Sequence, residues 1–176
     1  MKITIVTATW NSGATLRHTM RSVLSQSYPN IEHIIVDGGS TDNTMEIVHE
    51  LEPEYQGCLR YISEKDKGIY DAMNKGIAMS TGDIVGILNS DDFYTSDSVL
   101  STVVSTFEDG NIDAVYGDIH YVQDNDLQKC TRYYSSKLFH RRWMRLGFMP
   151  AHPSFYCRKE IYEKYGGFNL SYKIAA

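Results

Sequence analysis

The sequence has few cysteines and no long apolar run, and both shortages narrow the class of protein. Its three cysteines, Cys58, Cys130 and Cys157, lie far apart and include no Cys-x-x-Cys pair. They predict neither a disulfide framework nor a zinc cage, and they fit a reducing, cytoplasmic environment. The sequence contains no run of about 18 apolar residues, so a membrane-spanning helix is not expected.

The sequence also lacks an excess of basic residues. Its 17 Lys and Arg residues are outnumbered by 22 Asp and Glu residues, which gives a net charge of −5. Binding to nucleic-acid phosphates needs a basic surplus, so nucleic acid is not an expected partner. A hydrophobic fraction of 42% and a charged fraction of 22% are ordinary for a globular protein. At this length we expect residues 1–176 to form one domain.

Short β-branched segments alternate with helical segments as far as residue 118. Runs such as Ile34-Ile35-Val36 are unbroken by polar residues, which is typical of parallel strands buried on both faces. This alternation predicts an α/β protein with an open, mostly parallel central sheet and helices on both faces. The predicted strands are 3–8, 31–37, 59–62, 83–88 and 113–118, and the predicted helices are 12–26, 40–52, 69–80 and 97–107.

Polar clusters directly follow three of the predicted strands. They span Thr7 to Asn11, Asp37 to Asp42 and Asn89 to Asp92. Ligands of open α/β sheets bind outside the carboxyl ends of the strands. We therefore expect the three clusters to share one edge of the sheet and to form a binding site there.

Two adjacent carboxylates, Asp91 and Asp92, follow an apolar strand at that edge. Like charges this close repel each other unless a cation lies beside them, and oxygen ligands select Mg²⁺ or Mn²⁺. An ion held by one or two carboxylates completes its shell with phosphate oxygens and water, so a diphosphate ligand is expected. The pair could instead form only a turn and a helix cap, but the neighbouring clusters favour the metal.

Other residues near this edge have both a binding and a structural interpretation. Asp37 could accept hydrogen bonds from a ribose or a base, or it could cap the loop that follows. Gly38-Gly39 allows close approach of a ligand to the backbone, or simply forms a turn. The Gly-x-Gly-x-x-Gly and Gly-x-x-x-x-Gly-Lys motifs are absent, which disfavours dinucleotide dehydrogenases and P-loop enzymes.

The predicted helix 69–80 has a polar arc that could line the same site. Asp71, Asn74 and Lys75 share this arc, opposite a packing face that includes Ile69. The preceding segment 65–68 places two lysines and a glycine at the helix N-terminus, either as an anion site or as a solvated charge run.

Four motifs, in order along the chain, closely resemble those of family 2 glycosyltransferases with the GT-A fold. They are residues 7–11, 36–42, 66–76 and 88–92, and residues 151–156 resemble the acceptor-side His-x-x-Phe region of that family. The resemblance spans nearly the whole chain. It implies inverting transfer of a sugar from a nucleotide-diphosphate donor, UDP- or GDP-linked, to a hydroxyl acceptor in polysaccharide or glycolipid synthesis.

The resemblance also implies roles for individual residues. Asp91 and Asp92 would hold a Mn²⁺ or Mg²⁺ ion, with Asp92 the more direct ligand, although Asn89 stands at the first acidic position of the family pattern. With these two carboxylates, His152 on the acceptor side completes the expected catalytic set; as a lone histidine it could equally be a satisfied hydrogen-bond partner. The expected donor contacts are Thr7, Thr9, Asn11, Asp37, Gly39, Asp66, Asp71, Asn74 and Lys75.

The C-terminal end departs from the family pattern. In this family an aspartate a few residues after Gly-Gly-Phe-Asn serves as the general base, whereas no aspartate follows Asn169 here. We therefore expect a truncated chain, with a donor half at 1–118, a partial acceptor half at 119–176, the base beyond Ala176 and weak or absent transfer. Asp118 is the second candidate for the base.

Residues 132–149 combine five basic residues with several aromatic ones. This pattern predicts either a packed end of the domain or a peripheral membrane contact, at the inner face of the membrane, near a lipid-linked acceptor.

Two other functions stay open at this point. A sugar-nucleotide pyrophosphorylase would carry a glycine-rich, Arg-containing loop after the first strand, where this chain has Trp10-Asn11-Ser12-Gly13. A non-catalytic module would bind sugar nucleotides without turnover.

Overall fold

Strands and helices alternate through the first two thirds of the chain. The computed structural model describes residues 1–108, 110–123, 126–137 and 139–172. The strands are β1 (Ile3–Thr9), β2 (Ile31–Asp37), β3 (Leu59–Ser63), β4 (Ile84–Ile87), β5 (Ala114–Tyr116), β6 (Ile119–Gln123), β7 (Asp126–Tyr134) and β8 (Phe155–Arg158). The helices are α1 (Leu16–Leu24), α2 (Thr44–Leu51), α3 (Ile69–Met79), α4 (Val99–Glu108) and α5 (Lys159–Tyr165), with 3₁₀ turns at Glu52–Tyr55, Arg141–Leu146 and His152–Ser154.

Six strands form one sheet in the order β3-β2-β1-β4-β8-β5, and β6 pairs with β7 in a separate hairpin. β1 pairs in parallel with both β2 and β4, and β2 pairs in parallel with β3. β8 runs antiparallel to β4 and to β5. The predicted open, mostly parallel sheet is confirmed, whereas the apolar pattern predicts neither β8 nor the β6–β7 hairpin.

Two apolar cores lie on opposite faces of the sheet, as the sequence predicts. α1, α2 and α4 contribute to one core and α3 contributes to the other. α3 packs closely on β1 through Gly76, because a Cβ added there would lie 2.2 Å from Val6 Cγ1. None of the helices in the described ranges has the length and apolarity needed to cross a bilayer.

The parallel register brings several strand ends to one edge of the sheet. Thr9 at the end of β1 is the register partner of Asp37 at the end of β2, and Val6 is the partner of Ile87 at the end of β4. From β1 the chain adds β2 and β3 on one side of the sheet, and it then returns to add β4 on the other side of β1. Open α/β sheets bind ligands at such a switch point.

Candidate active site

The three polar loops after β1, β2 and β4 contact one another. Ser12 Oγ lies 2.8 Å from Ser90 Oγ, which joins the loop after β1 to the loop after β4. The backbone N–H of Asn11 donates to Ser40 Oγ at 2.7 Å, which joins the first loop to the second. The predicted convergence of the clusters at one edge is therefore confirmed.

A cavity of about 460 Å³ opens between these loops and the start of α3. This volume is within the range of small-ligand sites. α3 begins at Ile69, in the cavity wall, so the partially positive end of the helix faces the cavity and favours an anion. The lining residues are Ala8, Thr9, Trp10, Ser12, Gly38, Asp66, Gly68, Ile69, Ala72 and Ser90.

Two large side chains of this wall, Trp10 and Ile69, are missing from the predicted site. Trp10 is 67% exposed and Ile69 is 48% exposed, although both line the cavity. The prediction that Ile69 packs in the core is wrong. Ile69 is the first residue of α3, and the buried residues of this helix begin only at Ala72. The position of Trp10 directly after β1 could have identified it as a site residue, because an exposed aromatic face can stack on a planar base.

Asp66 reaches the cavity beside Gly38. One of its carboxylate oxygens, Oδ1, accepts a hydrogen bond from the Gly68 backbone N–H at 2.8 Å. The other, Oδ2, occupies the space next to Gly38, where an added Cβ would lie 2.6 Å from it. The glycine that admits close approach is thus Gly38, whereas Gly39, with a φ of +82°, forms the turn and does not line the cavity.

Asp37 is fully buried and shapes the loop after β2. Its carboxylate accepts hydrogen bonds from the backbone N–H groups of Gly39 and Ser40 and from the hydroxyls of Ser40 and Ser63. A ribose or base could bond this carboxylate only by displacing one of these donors. The loop-capping interpretation of Asp37 therefore describes the structure as it stands.

Thr7 and Thr9 end β1 in different surroundings. The predicted donor contact of Thr7 is not supported, because its side chain is fully buried and its hydroxyl bonds His33 Nε2 at 3.0 Å. His33 Nδ1 in turn donates to the hydroxyl of Tyr55, whose own proton goes to the Met20 carbonyl. Thr9, by contrast, lines the cavity, and its buried hydroxyl oxygen has no hydrogen-bond partner among the described residues.

Asn11 joins the first two loops. It has a φ of +50°, and its side-chain oxygen accepts a hydrogen bond from the Thr41 backbone N–H at 2.9 Å. The neighbouring Gly13 N–H donates to Asp42 at 2.9 Å. These bonds fix the loops around the cavity, so Asn11 supports the site from the side rather than lining it.

The side chains of the polar arc of α3 have two separate sets of partners. Asp71 accepts a hydrogen bond from the Lys67 backbone N–H and pairs with Lys75, which also pairs with Glu64 at 2.7 Å. Asn74 instead bonds the backbone of Phe168 twice, accepting from its N–H at 2.7 Å and donating to its carbonyl at 2.8 Å. The three side chains therefore do not converge on one point, contrary to the prediction.

The loop after β4 carries the two adjacent carboxylates. Asp92 is half-buried and accepts a hydrogen bond from Asn89 Nδ2 at 2.8 Å, while Asp91 is exposed. Burial raises the pKa of Asp92 above its usual range, and the charge of Asp91 adds to this increase. Asn89 Oδ1 is buried, and no group in the described part of the chain donates a hydrogen bond to it.

These oxygen donors fit a divalent cation that is shared with a ligand. Two carboxylates and an unpaired amide oxygen are the ligand types that Mg²⁺ and Mn²⁺ prefer. Within the described ranges, no three His, Cys, Asp or Glu side chains cluster as a complete metal site. An ion here would therefore need further oxygens, such as those of a diphosphate.

A second cavity, of about 410 Å³, lies on the other side of this loop. Asp92 lines this second cavity, whereas Ser90 lines the first. Asp118 also lines it, but Tyr133 and Ser136 donate hydrogen bonds to its carboxylate and hold its pKa at about 2. A carboxyl group with so low a pKa is a weak proton acceptor, which counts against Asp118 as the general base.

His152 begins the 3₁₀ turn that precedes β8. Its ring packs on the ring of Phe168, with 5.2 Å between the centroids, and Phe168 also stacks on Tyr70 at 5.5 Å. His152 Nε2 is buried and has no hydrogen-bond partner within residues 1–172 as far as the structure describes them, and burial lowers the pKa of the ring below its usual range. Burial thus favours the neutral form of the ring. Residues 173–176, which would lead towards the expected base, lie outside the described residues.

Comparisons with known proteins point to one family. The sequence profile of glycosyl transferase family 2 matches residues 4–166. A "PGL/p-HBAD biosynthesis glycosyltransferase" of Mycobacterium tuberculosis is 28% identical over 173 residues, which cover 98% of this chain and 65% of that protein. The chain thus spans about two thirds of the length of this relative.

Solved structures share the fold. TarS of S. aureus in complex with UDP-GlcNAc superposes with a TM-score of 0.72 at 18% identity, over 93% of this chain and 47% of that one. A mannosyltransferase of Pyrobaculum calidifontis in complex with GDP-Man and Mn²⁺ gives a TM-score of 0.74 at 20% identity, over 96% of this chain and 48% of that one.

Proposed function

The chain belongs to glycosyl transferase family 2, and on that premise we propose that it transfers a sugar from a nucleotide-diphosphate donor to a hydroxyl acceptor with inversion. The observation that carries this proposal is the cavity at the sheet edge, open to solvent and adjoining the Asp91–Asp92 loop. Relatives with this fold bind UDP-GlcNAc, UDP or GDP-Man, which supports a UDP- or GDP-linked donor.

The nucleoside of the donor would occupy the cavity between Trp10 and Asp66. The exposed face of Trp10 can stack on the base, and Asp66 Oδ2, beside Gly38, can accept a hydrogen bond from the ribose or the base. Thr9 can pair its unpartnered hydroxyl with the ligand. The start of α3 at Ile69 favours the charge of the diphosphate. Asn11, Asp37 and Gly39 would support these contacts by holding the loops.

A Mn²⁺ or Mg²⁺ ion would be held by Asp92 and Asp91 together with oxygens of the diphosphate. When bound, such an ion neutralises the negative charge that grows on the departing nucleoside diphosphate. Asn89 keeps the Asp92 carboxylate oriented through its hydrogen bond at 2.8 Å.

The acceptor would enter through the second cavity, because Asp92 lines that cavity and the same loop reaches the first cavity through Ser90. This cavity is walled by aromatic rings and by Thr102, whose hydroxyl donates to the carbonyl of Ser98, the residue directly before α4. Such a wall suits an acceptor with an apolar body. Thr102→Trp should fill the cavity and raise the KM for the acceptor while leaving the KM for the donor unchanged. Ser105→Trp, on the same helix but outside the cavity, is the control.

His152 directly precedes Pro153 and Ser154, which line the second cavity, so it would support the acceptor side from behind that wall. We propose that the general base lies beyond Ala176, as the family resemblance implies. The free thiols of Cys58, Cys130 and Cys157 fit the reducing cytoplasm, where we propose that the protein acts in the synthesis of a polysaccharide or a glycolipid.

A thermal-shift panel of nucleotide sugars, with and without Mn²⁺, tests donor binding. A ligand at 100 times its Kd stabilises the native state by about 2.7 kcal/mol, which raises Tm by roughly 5–10 °C in a chain of this size. We expect a Mn²⁺-dependent increase with a UDP- or GDP-linked donor. Asp92→Asn should abolish it, whereas Asp97→Asn, at an exposed carboxylate outside both cavities, should preserve it. No increase with any donor would refute the proposal.

Turnover separates transfer from the two alternatives. A chain extended beyond Ala176 should form a glycosylated product of inverted anomeric configuration, which proton NMR can measure. Binding without any product would indicate a non-catalytic module, and formation of a nucleotide sugar from a sugar phosphate and a nucleoside triphosphate would indicate a pyrophosphorylase.

A further inference from the structure

The charges of the chain are distributed unevenly. Residues 127–159 contain eight of the 17 Lys and Arg residues and none of the 22 Asp and Glu residues. The rest of the chain is therefore strongly acidic, although the whole protein has a net charge of only −5. A segment of this kind attracts an anionic surface while the remainder of the molecule is repelled by it.

Within this segment, residues 142–149 form an apolar tip, and we call these residues the basic apolar surface. Five large hydrophobic side chains in seven consecutive residues are exposed to solvent: Trp143, Met144, Leu146, Phe148 and Met149. The exposed fractions of Leu146 and Phe148 are 73% and 56%. Single exposed apolar side chains are ordinary on protein surfaces, but a contiguous group of this kind marks an interaction site.

The basic apolar surface has a defined backbone. The 3₁₀ turn Arg141–Leu146 ends at Gly147, which has a φ of +83° and donates its N–H to the Met144 carbonyl at 3.1 Å. The chain then folds back, so that the Phe148 N–H donates to the Trp143 carbonyl and the two rings lie 6.1 Å apart. The Tyr134 hydroxyl donates to the Met149 carbonyl and anchors the surface to β7.

Two arginines flank the apolar side chains. Arg142 and Arg145 are exposed, and neither forms an ion pair with an acidic side chain in the described part of the chain. Their guanidinium groups are therefore available to an external anion. Leu138, which precedes this surface, lies outside the described residues.

Anionic lipid satisfies both properties of the surface. Lipid phosphates attract arginines that lie close to the membrane surface. The aliphatic side chains of Met144, Leu146 and Met149 gain from insertion between acyl chains but offer no planar face for stacking on nucleic-acid bases. Contact with a second copy would bring the arginines of both copies together, and like charges oppose that contact.

We propose that the basic apolar surface docks the protein peripherally on an anionic lipid bilayer. Leu146 and Phe148 insert at the headgroup boundary while Arg142 and Arg145 contact the lipid phosphates. The surface lies three residues before His152, so docking also places the acceptor side of the site near the bilayer; this last point rests on the proposed function, but lipid binding itself does not.

Vesicle flotation tests the proposal without any activity measurement. The protein should float with vesicles of phosphatidylcholine and phosphatidylglycerol and should not float with phosphatidylcholine alone. Arg142→Glu/Arg145→Glu and Leu146→Ser/Phe148→Ser should each weaken binding at least tenfold. The controls are Lys164→Glu and Leu170→Ser, at exposed positions outside the surface, which should bind as the unmodified protein does. Circular dichroism and Tm verify that each variant is folded.

Tryptophan fluorescence gives a second readout. The chain has two tryptophans, so in Trp10→Phe the emission comes from Trp143 alone. Its emission should shift to the blue on addition of the anionic vesicles. Absence of flotation and of a shift would overturn the proposal. It would equally be overturned if the surface variants bound vesicles normally, converted a dimer to a monomer, or lost binding to an RNA oligomer instead.

Discussion

Asn74 provides the sharpest test of how the C-terminal segment is held. Its side chain bonds both the N–H and the carbonyl of Phe168, 94 residues away. Asn74→Leu keeps a similar volume but removes both hydrogen bonds and leaves the two backbone groups of Phe168 without partners. At about 1 kcal/mol for each bond, the segment should lose about 2 kcal/mol of docking free energy, or roughly 30-fold in the docking equilibrium.

Hydrogen exchange measures this loss directly. The Phe168 amide should exchange roughly 30-fold faster in Asn74→Leu, since it is protected by its bond to Asn74. Amides within β1 and β2 should change much less, because the contacts between Phe168 and the α3 face are local. Asn169→Ala, which removes a bond to the Ser171 N–H in the same segment, is the matched control. Unchanged exchange at Phe168 in Asn74→Leu would refute the reasoning.

Three further changes have expected outcomes. Gly38→Ala should weaken donor binding at least tenfold in a calorimetric titration, because the new Cβ would lie 2.6 Å from Asp66 Oδ2 and displace that carboxylate. Gly86→Ala should lower the free energy of unfolding by about 1–3 kcal/mol, since its Cβ would lie 2.5 Å from the Tyr156 ring. Glu32→Gln should reduce the loss of stability that follows acidification from pH 4.5 to 2, measured as urea midpoints at each pH.

The Glu32 prediction follows from a lowered pKa. Burial raises the pKa of Glu32, but hydrogen bonds from Thr81 and Thr4 outweigh it and hold the value at about 2. The stability that this carboxylate contributes is complete above pH 4.5, its usual range, and is lost as the pH falls towards 2. A pH dependence that is the same in Glu32→Gln would contradict this account.

The glycine predictions share one control. Gly117→Ala adds a Cβ whose nearest neighbour, Ser154 Cβ, is 3.8 Å away, so it should leave both donor affinity and stability unchanged. If Gly38→Ala and Gly117→Ala bound the donor with equal affinity, the position of Asp66 would not depend on the absence of a side chain at Gly38.

The sheet edge could be predicted from sequence because its determinants are local. Continuous apolar runs identify buried parallel strands, and a polar cluster after each strand identifies the edge at which the loops meet. β8 and the β6–β7 hairpin could not be predicted in this way. β8 has only four residues, and most of the β7 side chains are exposed, so neither has a distinctive apolar period.

The site residues that sequence reasoning misplaced depend on distant partners. Thr7 and Thr9 are two residues apart on one strand. The hydroxyl of Thr7 bonds His33, a residue of β2, and is therefore not available to a ligand. Asn74 shares a helical arc with Lys75, but its partner Phe168 comes from the far end of the chain. Periodicity locates a side chain on its own element and gives no information about which later segment will cover it.

The most direct measurement of the central claim is a crystal structure with Mn²⁺ and a nucleoside diphosphate, using the anomalous signal of manganese. A single strong peak should lie within coordination distance of a carboxylate oxygen of Asp92 and next to the diphosphate, with the nucleoside between Trp10 and Asp66. A nucleotide bound outside this cavity, or manganese on other carboxylates, would contradict it.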